Sequence, residues 1–176
     1  MAGPSSRHNV VIRERTAADD EAIRRLNDLA FDGTFESTLV AELRAAMLDA
    51  VELVAIEDGR VVGHILFSAL TMLIDDEAIP TLALAPMSVH PEHRRAGIGS
   101  GLVQAGLVLA SRREWQAVIV LGHPDFYPRF GFSAELASSL DAPFEGDAFM
   151  ALELVDGALD GDDGLVVYPP AFRLAS

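Results

Sequence analysis

The chain has 176 residues, with 27 acidic side chains against 13 basic ones, every basic one an arginine, and a formal net charge of −14. That balance excludes a free-standing nucleic-acid binder, which needs a net basic face, and a composition that is half hydrophobic excludes a disordered chain. The absence of cysteine excludes a disulfide scaffold, a thiol nucleophile and a thiolate metal site.

Residues 1–9 read as a disordered start that lacks the apolar core of a signal peptide. Residues 10–176 read as a single domain. Val10 to Arg15 is a strand, and Thr16 with Asp19 a weak capping box. Ala22, Ile23, Leu26, Leu29 and Ala30 then repeat at helical spacing. After Asp32-Gly33 a second helix carries Leu39, Val40, Leu43, Ala46 and Met47 on one face. Val51 to Glu57 and Val61 to Ile74 are strands joined by the hairpin signal Asp58-Gly59. Asp75 to Ala78 is a turn, and Ile79 to His90 a third strand. Gly101 to Arg113 reads as a helix, apolar nearly all round and therefore well buried. Ala117 to Leu121 has the continuous apolar character of a strand inside a sheet. Pro124 to Phe130 is a short aromatic turn or helix. Phe132 to Glu135, Phe149 to Val155 and Val166 to Tyr168 read as strands, and Asp156 to Gly164 as an acidic loop. Hairpins followed by a strand–helix–strand unit predict an α/β fold with one mixed, mostly antiparallel sheet and helices on both faces. No apolar run is long enough to span a bilayer, so no membrane partner and a cytoplasmic location are expected.

The stretch from His90 to Gly101, His-Pro-Glu-His-Arg-Arg-Ala-Gly-Ile-Gly-Ser-Gly, joins a strand to a helix. Successive backbone N–H groups, the positive end of a helix and nearby arginines make a phosphate cradle. A Walker loop needs a lysine, and there is none. A dinucleotide fingerprint needs a third glycine where Leu102 stands, and a tighter turn. What fits is Arg94-x-x-Gly97-x-Gly99, followed downstream by Tyr127-x-x-x-Gly131-Phe132.

These two blocks, in this order of strands and helices, resemble the GNAT superfamily of N-acetyltransferases. The tail, from Ala148 to Leu154 and from Val167 to Phe172, looks like its YhbS-like bacterial branch. The resemblance implies a GNAT-like fold and acetyl-coenzyme A as co-substrate. It implies transfer of an acetyl group by direct attack of a primary amine, carried by a small-molecule or protein acceptor. The backbones of Met87, Ser88 and Val89 would hold the pantetheine arm and the thioester carbonyl. The N–H groups of Arg95, Ala96, Gly97, Ile98, Gly99 and Ser100 would hold the pyrophosphate, with charge from Arg94 or Arg95. Tyr127 occupies the family's position for the acid that protonates the leaving thiolate. Pro86, which cannot donate a ladder hydrogen bond, predicts a bulge at Pro86–Met87 in the strand that must part from its neighbour.

The strand segment from Pro80 to Met87 has no titratable side chain. The amine's proton is then left to water, to Glu36 at the start of the second helix, or to Asp125. Phe31 and Phe35 flank the loop that the family uses for its acceptor. No metal site is expected, because Pro91 and the arginine pair stand beside His90-x-x-His93. The missing strand base keeps a second reading open, a non-catalytic acyl-coenzyme A-binding protein. The resemblance allows a monomer or a homodimer.

Overall fold

The computed structural model describes residues 9–174, so the expected disordered start lies, but for Asn9, outside the described residues. Strand β1 (Val10–Glu14) leads into a one-turn 3-10 helix, Ala17–Asp19. There the Asp19 carboxylate accepts the Thr16 N–H at 2.8 Å, half of the expected capping box. Helices α1 (Asp20–Phe31) and α2 (Phe35–Ala45) follow. Strands β2 (Asp49–Glu57) and β3 (Arg60–Ile74) form the hairpin across Asp58-Gly59, whose φ angles of 50° and 74° are the left-handed values that such a turn requires. A two-residue strand, β4 (Glu77–Ala78), closes the expected turn against β3. Strand β5 (Thr81–Val89), the 3-10 turn Pro91–His93, helix α3 (Ile98–Arg112) and strand β6 (Ala117–Leu121) come next. The 3-10 turn Tyr127–Phe130, helix α4 (Ala134–Ala137) and strands β7 (Leu140–Asp141), β8 (Phe149–Glu153) and β9 (Gly164–Val167) complete the order, before a last turn at Pro170–Phe172.

Four expectations are corrected. Phe132 to Glu135 is not a strand: Ser133 accepts the Leu136 N–H at 3.1 Å and caps α4, and one bridge from Ser133 to Ala151 is all the pairing there. Helix α3 begins at Ile98 rather than Gly101, because Gly97 at φ 80° ends the loop and caps the helix early. Nor is α3 buried all round; Val108 is 51% exposed, and the buried stripe is Ile98, Leu102, Val103, Gly106 and Ala110. The bulge falls at Ala85–Pro86, one residue before its expected place: Ile65 pairs Met87 while Phe67 pairs Leu84, so Leu66 faces two residues of β5.

The sheet runs β1-β2-β3-β5-β6-β8, antiparallel except for the parallel pair β5–β6. Strand β3 is long enough to serve two neighbourhoods. Its first two-thirds pair with β2 and β5, and its far end, Thr71 to Ile74, pairs with β9, which in turn carries β7. Alternate side chains of β3 face opposite layers, as strand geometry demands. Gly63 lies under Ile98 and Leu102 of α3, and Phe67 meets Gly106 of α3 so closely that a Cβ there would overlap the ring. On the other face Leu66 packs with Leu39, Val40 and Leu43 of α2. Helices therefore cover both faces of a mixed, mostly antiparallel sheet, the architecture read from the sequence.

The α1/α2 face is pinned by a buried polar chain. His64 is fully buried. The Asn27 amide nitrogen donates to Ile23 O at 3.0 Å and to His64 Nδ1 at 3.2 Å. Nε2–H of His64 therefore donates to Glu52 Oε2, at 2.7 Å. Arg44 grips the same carboxylate with two bonds, of 3.0 and 2.5 Å, and reaches Asp20 at 3.3 Å. Burial pushes the His64 imidazole below its ordinary pKa, so it stays neutral. Burial alone would raise the Glu52 carboxyl, but the bonds from His64 and Arg44 outweigh that and hold it at about 2.

Candidate active site

The pairing of β5 with β6 runs from Thr81–Ala117 to Leu84–Val120 and then stops. The bulge at Ala85–Pro86 bends β5 away, while β6 continues to Leu121 against β8. The two strands thus part, and a cleft of about 1410 Å³ opens between them. Its walls include Met87, Ser88 and Val89 of β5, on the edge left without a neighbouring strand. The Ser88 hydroxyl is buried and has no hydrogen-bond partner among the described residues.

At one mouth of the cleft lies the glycine-rich turn. Arg95 and Gly97 take φ values of 69° and 80°, and the helix starts at once behind them. Gly101 N–H bonds Gly97 O at 3.0 Å, whereas the N–H groups of Ala96 to Ser100 find no backbone acceptor among the described residues. These unsatisfied donors lie at the positive end of α3, a place chemically suited to an anion. Arg94, Arg95, Gly97, Ile98, Gly99 and Ser100 line the cleft, and Ala96 is not among the lining residues. The Ile98 side chain is committed to the core, so only its backbone faces a ligand. Arg94 spans the turn and the end of α1, with Nη2 3.4 Å from Ala30 O. His93 also lines the cleft, and its Nε2 is 2.7 Å from Glu57.

Tyr127 also lines the cleft. Phe126 and Phe132 hold its ring edge to face, at 5.0 and 5.6 Å. Its hydroxyl has no hydrogen-bond partner among the described residues. Burial raises the phenol to about 12, so it remains protonated at every physiological pH. Gly122 lies against this ring, and a Cβ there would overlap it. Gly122→Ala is therefore expected to displace Tyr127 and to cost about 1–3 kcal/mol of overpacking, read by thermal melting. An unchanged melting temperature would mean that the ring is free to move aside.

Glu36 and Phe35 stand in the first turn of α2, and Phe31 ends α1; all three line the cleft. His123 and Asp125 line it from the segment after β6. Sequence reasoning missed Phe126 with Arg129, whose guanidinium sits 4.9 Å over the Phe126 ring. It also missed Phe144, in the loop before β8, and Tyr168 and Phe172, in the tail, all of which line the cleft. The pairing of β9 with the far end of β3 carries the tail there, and no local motif announces it. Among the described residues no group of three His, Asp or Glu side chains is placed to hold a metal, and no helix is long and apolar enough to cross a membrane.

Residues 11–134 match the acetyltransferase (GNAT) domain family. The chain is 34% identical to the uncharacterised N-acetyltransferase YhbS of Escherichia coli K12 over 169 residues, covering 93% of this chain and 99% of YhbS. The crystal structure of E. coli YhbS in complex with CoA superposes with a TM-score of 0.85, at 32% identity, over 94% of this chain and 93% of that one. A GNAT-family acetyltransferase from Brucella melitensis, crystallised with acetyl-CoA, matches with a TM-score of 0.77 and 32% identity, over 94% and 99% of the two chains. A parted β5–β6 pair beside a glycine-rich turn, a match to the family over residues 11–134, and relatives that align along nearly their whole length lead to one conclusion: this chain belongs to the GNAT family of acetyltransferases.

Proposed function

We propose that the chain transfers the acetyl group of acetyl-coenzyme A to a primary amine by direct attack. The observation that carries this reading is the gap where β5 leaves β6, with Tyr127 on its wall and an unpartnered hydroxyl there. The residues present suit the co-substrate. The free edge of Met87, Ser88 and Val89 offers backbone groups to a pantetheine arm, and the orphaned Ser88 hydroxyl offers one more bond. The N–H groups of Ala96 to Ser100 suit a pyrophosphate, and Arg94 and Arg95 add charge.

The chemistry is mostly positioning. The β5 backbone orients and polarises the thioester carbonyl. Glu36 draws the acceptor's ammonium and takes its proton through water, since β5 supplies no base. The amine nitrogen then bonds the carbonyl carbon, the carbon–sulfur bond breaks, Tyr127 gives its phenolic proton to the departing thiolate, and the surplus proton on the new amide nitrogen leaves through water and restores the phenol. Asp125 is a second carboxylate within the cleft, on the side of Phe126. A donor of this kind fits a cytoplasmic enzyme.

A thermal-shift titration with acetyl-coenzyme A, coenzyme A, ATP and NADH tests the reading. Binding to the folded state alone adds about 2.7 kcal/mol at a hundredfold excess over the dissociation constant. A shift with the two coenzyme A species only, followed by thiol release with an amine, is the expected result. No shift with either would overturn it. The lack of a titratable side chain on β5 from Thr81 to Met87 favours one other reading, an acyl-coenzyme A-binding protein without turnover. Binding with no thiol release from any amine would select that one.

A further inference from the structure

The lining of the cleft is of two kinds. Backbone donors and arginines come from the glycine-rich turn before α3. Aromatic rings come from distant parts of the chain. Phe31 and Phe35 come from the α1–α2 connection, Phe144 from the loop before β8, and Tyr168 and Phe172 from the tail. Phe144 meets Tyr168 edge to face at 5.4 Å, and Tyr168 meets Phe172 at 5.0 Å.

Phe31 and Phe35 are 41% and 48% exposed. Exposed phenyl rings cost hydrophobic free energy and add little to the core, so two of them on the rim of one cleft point to a ligand that covers them. Glu36, half-buried in the first turn of α2 next to Phe35, is, among the described residues, one of the two carboxylates that line the cleft. The other, Asp125, neighbours Phe126, whose ring lies against Gly99 in the first turn of α3. One carboxylate among rings suits a single ammonium on an apolar body. A polyamine, with a charge every few carbons, would leave its remaining charges desolvated against phenyl faces.

Resting on the acetyl-transfer reading above, we infer that the acceptor is an arylalkyl primary amine. Its ring packs against Phe31, Phe35, Phe144, Tyr168 and Phe172, and its ammonium is met by Glu36. Aromatic groups prefer edge-to-face partners, the arrangement that Phe144, Tyr168 and Phe172 already show among themselves.

The test measures thiol release from acetyl-coenzyme A with phenethylamine, tryptamine, spermidine and a lysine-bearing peptide. The wild-type chain and Phe35→Ala are compared, and the affinity for acetyl-coenzyme A is followed by calorimetry in both. Phe35 is half exposed, so the variant is expected to fold, which circular dichroism checks. The expected result is a kcat/KM for the two arylalkylamines about tenfold or more above that for spermidine and the peptide. Phe35→Ala should raise KM for phenethylamine about tenfold with acetyl-coenzyme A affinity unchanged. A preference for spermidine or the peptide overturns the inference and leaves acetyl transfer standing. So does a KM for phenethylamine that Phe35→Ala does not move. Failure of acetyl-coenzyme A to bind overturns the acetyl-transfer reading itself.

Discussion

Tyr127→Phe is expected to lower kcat by about a hundredfold or more, the usual worth of a positioned general acid, while acetyl-coenzyme A binds as tightly as before. The ring is held by Phe126 and Phe132, and phenylalanine keeps both contacts, so only the proton is removed. Equal losses in kcat and kcat/KM would mark an interaction made in the transition state alone. A kcat within twofold of wild type would reduce Tyr127 to a packing residue. The pH profile gives a second readout. Because burial holds the phenol at about 12, the acid stays loaded through the alkaline range. Turnover should therefore rise as the acceptor amine loses its proton and then level off, with no fall below about pH 11.

The second large effect is on stability. Glu52→Ala leaves Arg44 and His64 facing a hole in a buried chain of hydrogen bonds. Breaking such a set by removing one partner costs roughly 3–5 kcal/mol, or about 10 °C in melting temperature for a chain of this length. Chemical denaturation should show the loss at neutral pH, and a change below 1 kcal/mol would mean that the chain of bonds is ornamental. The wild-type protein should weaken in acid for the same reason. His64 is held below its unfolded value, so its contribution is full above about pH 6.5 and is lost as pH falls below that, where only the unfolded chain takes the proton. Glu52, held at about 2, contributes fully above its ordinary pKa and loses that contribution as pH falls toward 2. Both act in one direction, so the melting temperature should fall on acidification from about pH 6.5 downward.

What was legible in the sequence was local. The anion cradle is a contiguous run of residues, Arg94 to Ser100, and Tyr127 lies in a contiguous block with Gly131 and Phe132. Pro86 carried its own signal, since a residue without an N–H must disturb a ladder wherever it sits, although the register put the disturbance one residue earlier. The hairpin at Asp58-Gly59 is equally self-contained. What was not legible depends on contacts distant in sequence. His64 read as one more strand residue, because Asn27 and Glu52 meet it only after α1 packs across β3. Phe132 to Glu135 reads as a strand from its composition, yet the Ser133 cap followed by Ala-Glu-Leu-Ala favours a helical turn. The aromatic mouth is the clearest case. Phe144, Tyr168 and Phe172 carry no periodic signal, and the last two come to line the same cleft as Phe31 and Phe35 where β9 zips onto the far end of β3.

The double use of β3 separates the two halves of the cleft along the chain. Residues 81–131, which hold the gap, the glycine-rich turn and Tyr127, are one continuous stretch. Residues 31–36 and 144–172, the flanks of that stretch, supply the rest of the lining named above. On the proposed reading, changes in the flanks would alter which amine is accepted while the apparatus that holds the acyl donor is inherited intact. A lineage built this way can diversify its substrates by drift in a tail and one inter-helix connection.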